Sequence, residues 1–279
     1  MKRLFLLVFA LLAASQSPAF GQAAVRKTVE GSMRVTGQVV IAPDGRLVSY
    51  ALTRPDALPP EVRELVSRYL PACVFEVTTA SGKPENVTAD MSLHVVARQS
   101  GAGGSTISIE GSQFQDPDTP EYIKSIDLSP PHYPMAAAKS GYTGSVYVVL
   151  MLKPDGSVED AHVEQVNMTV IASLPRLEAG RRMLAKAALA KARQWRFEIS
   201  PARPATDGIA AVRVPVDFIL NDLPADAYGK WQAYVPGPRQ KAPWDCGSGS
   251  EQALGALASG GFYPLNSRIK LREPQSPEG

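Results

Sequence analysis

The sequence predicts an α+β protein of two small domains, each an antiparallel sheet with a helix packed on one face. Two observations carry this. One order of signals (hairpin, amphipathic helix, strand, strand) runs twice along the chain, and each hairpin turn is marked by Pro-Asp-Gly. A second domain of the same kind explains the recurrence better than chance similarity of short strands.

The first run covers residues 31–97. Thr36-Gly37 leads into alternating Val39 and Ile41 and then the turn Pro43-Asp44-Gly45. Proline fixes φ, aspartate bonds its own backbone and glycine tolerates positive φ, so the chain reverses there. Val62, Leu65, Val66 and Tyr69 fall at i, i+3, i+4 and i+7, the stripe of a surface helix. Pro59 and Pro60 suit its first turn, with Asp56 or a nearby residue approaching the cap. Cys73-Val74-Phe75-Glu76-Val77 and the apolar run Met91, Leu93, Val95, Ala97 complete the unit.

The second run covers residues 129–220. Thr143-Gly144, then Val146, Val148 and Leu150, alternate as a strand with one face buried. The turn Pro154-Asp155-Gly156 returns the chain through Val158, Val163 and Val166. Met183, Leu184, Ala187 and Ala188 mark the helix, which ends near Trp195. Trp195-Arg196-Phe197-Glu198-Ile199 and Val212, Val214, Val216, Phe218 are the closing strands. Residues 98–127, with Gly/Ser and Asp/Pro/Thr clusters, read as a linker. Residues 221–279 form an extension whose Trp231, Tyr234, Trp244, Phe262 and Tyr263 either pack it onto a domain or leave it loosely ordered; Glu273 to Gly279 read as disordered.

Composition excludes several functions. Hydrophobic residues make up 44% and charged residues 20%, the balance of an ordinary globular chain. There are 29 basic and 27 acidic residues, and without Lys2 and Arg3 the two counts are equal. No basic surface for nucleic acid and no polybasic membrane patch follows from that balance. Lys2 and Arg3 precede the apolar run Leu4 to Ala14, and small residues follow at Ala19, Gly21 and Ala23. Residues 1–23 therefore read as a cleavable signal peptide, cut after Gly21 or Ala23, that exports the protein to the periplasm. The run is too short to anchor the chain in a membrane.

Motifs of catalysis are missing from the sequence. His94, His132 and His162 stand apart from other ligand types, so no metal site is expected. No nucleophile elbow, dinucleotide fingerprint or phosphate loop occurs. The expectation is a non-enzyme without cofactors or a small-molecule substrate. Cys73 and Cys246 form one candidate disulfide in an oxidising compartment, with a buried Cys73 thiol as the other reading.

Pro131-His132-Tyr133-Pro134-Met135-Ala136-Ala137 opens a recognisable pattern. It continues through Gly141, Gly144-Ser145-Val146, Pro154-Asp155-Gly156-Ser157-Val158, Ala187-Ala188 and Trp195-Arg196-Phe197. Residues 129–220 thereby resemble the TonB C-terminal domain, and residues 31–97 resemble a degenerate version that carries Cys73 where the second copy has Trp195. The resemblance implies two TonB-C-like domains and a periplasmic module that pairs its edge strand with a partner peptide. The implied partner is an outer-membrane transporter or another envelope protein, with a homodimer as a further option. The resemblance also makes Val212 to Leu220 the candidate edge, and Pro215 within it suits an edge strand; a core strand is the competing reading. Tyr133, Val212, Arg213, Val214, Val216 and Phe218 are the candidate partner-binding residues. Pro130, Pro131 and His132 replace the glutamine-rich residues that precede this tyrosine in the transducers. A self-contained scaffolding protein, its two repeats paired to each other, is the alternative function.

Overall fold

Both Asp-Gly turns close their hairpins with the same set of bonds. In the first, the Asp44 carboxylate accepts the Arg46 N–H at 3.1 Å and Gly45 takes φ 85°. In the second, Asp155 accepts the Ser157 N–H at 2.9 Å and Gly156 takes φ 78°. Those bonds hold both carboxyls below the usual carboxylate range: chiefly the Arg46 N–H for Asp44, and the Ser157 hydroxyl, then its N–H, for Asp155. Each glycine carbonyl then accepts from a phenylalanine: the Phe75 N–H at 2.8 Å and the Phe197 N–H at 2.9 Å. A Cβ on Gly45 would collide with the Phe75 carbonyl, and one on Gly156 with the Phe197 carbonyl.

The computed structural model describes residues 25–78, 84–100, 104–115, 123–200, 210–220, 228–244, 254–265 and 269–272. It is a mixed α/β fold of antiparallel sheets and few helices. The proposed signal peptide and Cys246 lie outside the described residues, as do 273–279.

In the first half, β1 (Glu30–Ile41) pairs with β2 (Leu47–Leu52) through the hairpin and with β4 (Val87–Gln99) along its whole length. Helix α1 (Pro60–Tyr69) starts on Pro59 and Pro60, which preset the helical φ, and buries Val62 and Val66 one turn apart. They pack on Val35, Val39, Ile41 and Leu93. The chain leaves through Leu70–Ala72 into β3 (Val74–Val77). Cys73 is buried, and its Sγ donates to the Tyr69 carbonyl at 3.4 Å.

The expected linker, residues 98–127, holds two strands, Ser105–Gln115 and Ile123–Asp127. β5 (Ser105–Gln115) pairs with β4 from Gln99 to Asp90, and its Phe114 packs edge-on against Phe75 at 4.9 Å. Serine and glycine in this stretch conceal a pattern whose apolar residues, Ile107, Ile109 and Phe114, are interrupted by a bulge beside Glu110.

In the second half, β6 (Ile123–Asp127) and the short helix α2 (Met135–Lys139) lead to the hairpin β7 (Gly144–Leu152) and β8 (Val158–Met168). Helix α3 (Leu174–Ala192) follows, then β9 (Arg196–Ile199) and β10 (Ala210–Phe218). α3 buries Leu177, Gly180, Leu184, Ala188 and Ala192, a stripe at helical spacing. Gly180 brings the helix against Tyr142 and Met168: a Cβ there would sit 2.7 Å from the Met168 methyl. Trp195 fills the base of this core, and its indole N–H donates to the Ser129 carbonyl at 2.9 Å.

Alternation predicts that β7 buries one face only. Tyr147 and Val149, on the face away from the Val146–Val148–Leu150 row, are buried too. The C-terminal extension supplies the cover. β11 (Gln232–Tyr234) pairs with β1, and Val235 continues onto Met168 of β8. Leu254 and Leu257 pack on Tyr147, β12 (Tyr263–Pro264) pairs with β10, and β13 (Ile269–Arg272) pairs with β3. The described parts of the extension are thus built into both sheets rather than trailing from them.

Candidate partner-docking edge

β10 is bonded to β7 in unbroken register from Ala210↔Leu152 to Phe218↔Gly144. Val212, Val214 and Val216 join the core beneath α3. Backbone groups of alternate residues face the opposite, outer side. There the Ala211 carbonyl accepts the Leu265 N–H at 3.0 Å, and Val212 and Arg213 pair with Pro264 and Tyr263 of β12. Further along, the Ser259 hydroxyl donates to the Pro215 carbonyl at 3.4 Å and accepts the Asp217 N–H at 3.1 Å. Pro215 therefore sits where its missing N–H interrupts only the outer side. The expectation that Val212 to Leu220 is an open edge is corrected: the chain's own residues 259–265 occupy much of that edge. Both Ile219, 44% exposed, and Leu220, 42% exposed, lie just beyond it.

Arg213 points away from the α3 core into a buried ion pair. Its Nε donates to Glu164 of β8 at 2.6 Å and its Nη2 at 3.0 Å, with both side chains at most 3% exposed. The fork spans β7 and ties together the strands on its two sides, β10 and β8. Arg239, in the extension, reaches the same carboxylate at 3.8 Å. No linear pattern marks Glu164, which sits at a bulge between Val163 and Gln165 where the period of two breaks down.

Residues 129–220 match the family model described as Gram-negative bacterial TonB protein C-terminal. This segment belongs to the TonB C-terminal domain family. Two proteins named Protein TonB, from two strains of Xanthomonas campestris pv. campestris, are each 32% identical over 99 residues, covering 36% of this chain. The match spans only 39% of the length of those relatives. A solution NMR structure of Pseudomonas aeruginosa TonB CTD is 23% identical, covers 38% of this chain and 95% of that one, and superposes with a TM-score of 0.23.

Within the TonB C-terminal domain, the structure brings Tyr133 to the end of β10. Its ring meets Phe218 edge-on at 5.4 Å, and its hydroxyl donates to the Tyr142 carbonyl at 2.6 Å. Burial raises the phenol pKa. Val212, Arg213, Val214, Val216 and Phe218 are all buried, so a partner on β10 would meet backbone, not these side chains. Facing the domain from the first sheet, His94 is buried with Nε2 2.9 Å from the Ser32 hydroxyl. Desolvation pushes His94 down to about 4, and Glu110 and Glu30 only partly oppose it. His132 is exposed, and the His162 ring stacks edge-on against Trp244 at 6.3 Å. Between the sheets, Arg34, Arg54, Tyr147, Asp217 and Tyr228 line a cleft of about 390 Å³.

Proposed function

We propose that this chain is a non-catalytic envelope protein that binds extended partner peptides by strand pairing at its TonB C-terminal domain, in the periplasm. The observation that carries the reading is the outer side of β10, which accepts an antiparallel segment (Tyr263 on Arg213, Pro264 on Val212) through main-chain contacts. An outer-membrane transporter or another envelope protein is the partner, since that is what the family resemblance implies. The balanced charge of the chain fits a docking mode based on backbone bonds rather than on a charged surface.

We also infer that the two halves are copies of one unit. Supporting this, Gly37 and Gly144 occupy matching places: a Cβ on either would collide with a carbonyl of the paired strand, Ala51 or Asn167. The Thr53 N–H donates to Thr36 at 2.8 Å as the Thr169 N–H donates to Thr143 at 3.0 Å.

A self-contained scaffold is the second reading, and the coverage of β10 and β8 by the extension favours it. A photo-crosslinking residue at exposed Ile219, introduced in cells of the native host, separates the two. Adducts with an outer-membrane transporter or another envelope protein support strand pairing. Adducts confined to this chain contradict it.

A further inference from the structure

We propose that residues 254–265 are a built-in strap that occupies the β10 edge and must leave before a partner strand can dock. The inference rests on the strand-pairing reading above and adds its regulation.

The strap imitates a ligand but makes a poor ladder. β12 contributes two residues, and one of them, Pro264, has no N–H to donate. Beyond them the outward Pro215 carbonyl and Asp217 N–H are met by one side chain, the Ser259 hydroxyl, instead of a strand backbone. A continuous partner strand would offer main-chain groups along the whole edge from Ala211 to Asp217, so it outcompetes the strap wherever its own ordering cost is met. Short pairings of this kind open at far lower free energy than the nine-residue β7–β10 ladder behind them.

The first half of the molecule holds the strap down. Gly255 lies against the His94 imidazole so closely that a Cβ there would collide with the ring. The Ser92 hydroxyl donates to the Ala256 carbonyl at 2.6 Å, and Arg34 reaches the Leu257 carbonyl at 3.4 Å. Leu254 and Leu257 are buried against Tyr147 of β7, and the Tyr263 hydroxyl accepts the Ala258 N–H at 2.8 Å. One short segment thus touches β1 and β4 of the first sheet and β7 and β10 of the second. Whatever loosens its seat on the first sheet uncovers the edge of the second, which couples the two halves through a single element. The same extension covers the far edge of the second sheet: Val235 exchanges backbone bonds with Met168 at 2.7 and 3.0 Å, and the Gln240 N–H donates to the Glu164 backbone carbonyl at 2.7 Å.

The test uses the full chain with S259A and L265P together. These remove the hydroxyl on Asp217 and the N–H on Ala211 while leaving the apolar seat of Leu254 and Leu257 in place. Amide exchange at Arg213 and Asp217 reports whether the strap covers the edge. Fluorescence anisotropy with a labelled synthetic peptide of residues 258–265 reports whether the edge accepts a strand. The expected result is faster exchange at both amides and peptide binding about tenfold tighter than to the wild-type chain. S92A moves both readouts in the same direction by a smaller factor. Unchanged exchange in the double variant overturns the strap itself. Faster exchange without a gain in peptide affinity overturns strand acceptance and, with it, the strap's control of docking. An S92A chain identical to wild type in both readouts overturns the role of the first sheet.

Discussion

The Glu164 carboxylate and the Arg213 guanidinium meet across an intervening strand, at 2.6 and 3.0 Å, with neither open to solvent. β10 is therefore tied to β8 by side chains as well as to β7 by backbone, and its position does not depend on the strap. That rigidity suits a docking edge, because a strand that is already placed loses little entropy when a partner pairs with it.

Arg213→Met leaves the Glu164 carboxylate buried without its bidentate partner. Such a loss costs about 3–5 kcal/mol. Replacing both residues with apolar ones of similar volume recovers most of it. Denaturant unfolding of the single and double variants checks this; equal destabilisation of the two would contradict the ion-pair account.

Gly156→Ala must combine positive φ with a Cβ driven into the Phe197 carbonyl. A loss above about 2 kcal/mol is expected. Gly141 shares the positive φ (68°), but a Cβ there meets nothing within 4 Å, so Gly141→Ala isolates the backbone cost, about 1 kcal/mol. Thermal unfolding of the two variants side by side should show the gap.

Acid should weaken the fold through His94. Its pKa is depressed from 6.5 to about 4 in the folded state, so below 6.5 the unfolded chain takes up the proton first. Its contribution is complete above 6.5 and is lost as pH falls toward 4, by a total on the order of 3 kcal/mol. The nearby Glu30, Glu110 and Arg98 are part of the same environment. Stability measured against pH for wild type and His94→Gln should differ in slope within that window and run parallel above it.

Tyr133→Phe removes the hydroxyl donor to Tyr142 and keeps the ring on Phe218. A loss of about 1 kcal/mol follows, with docking at β10 unchanged. Calorimetry gives the first quantity, and peptide titration of a strap-weakened chain gives the second.

What the sequence made legible was local. Pro-Asp-Gly turns, the Val62–Val66 stripe and the Trp195 start of β9 each follow from neighbours within a few residues, and the structure has them in place. The hidden features depend on distant partners. β5 is a strand because β4 offers an edge, and its Ser-rich sequence carries little apolar alternation. β12 is two residues long, too short for any periodicity, and exists only through β10. Pro215 did mark an outer side, but nothing in a linear chain says whether such a side is vacant. The resemblance places Arg213 among the partner-binding candidates, and its acid, Glu164, sits at a bulge that alternation does not anticipate.

Residue-resolved amide exchange of the wild-type chain tests the central claim most directly. Arg213 and Asp217 should be slowed well below the rate of exposed backbone, yet exchange faster than Val214, whose amide faces β7. Exchange at Arg213 and Asp217 as fast as in an exposed loop would mean that the β10 edge is bare and that no strap governs it.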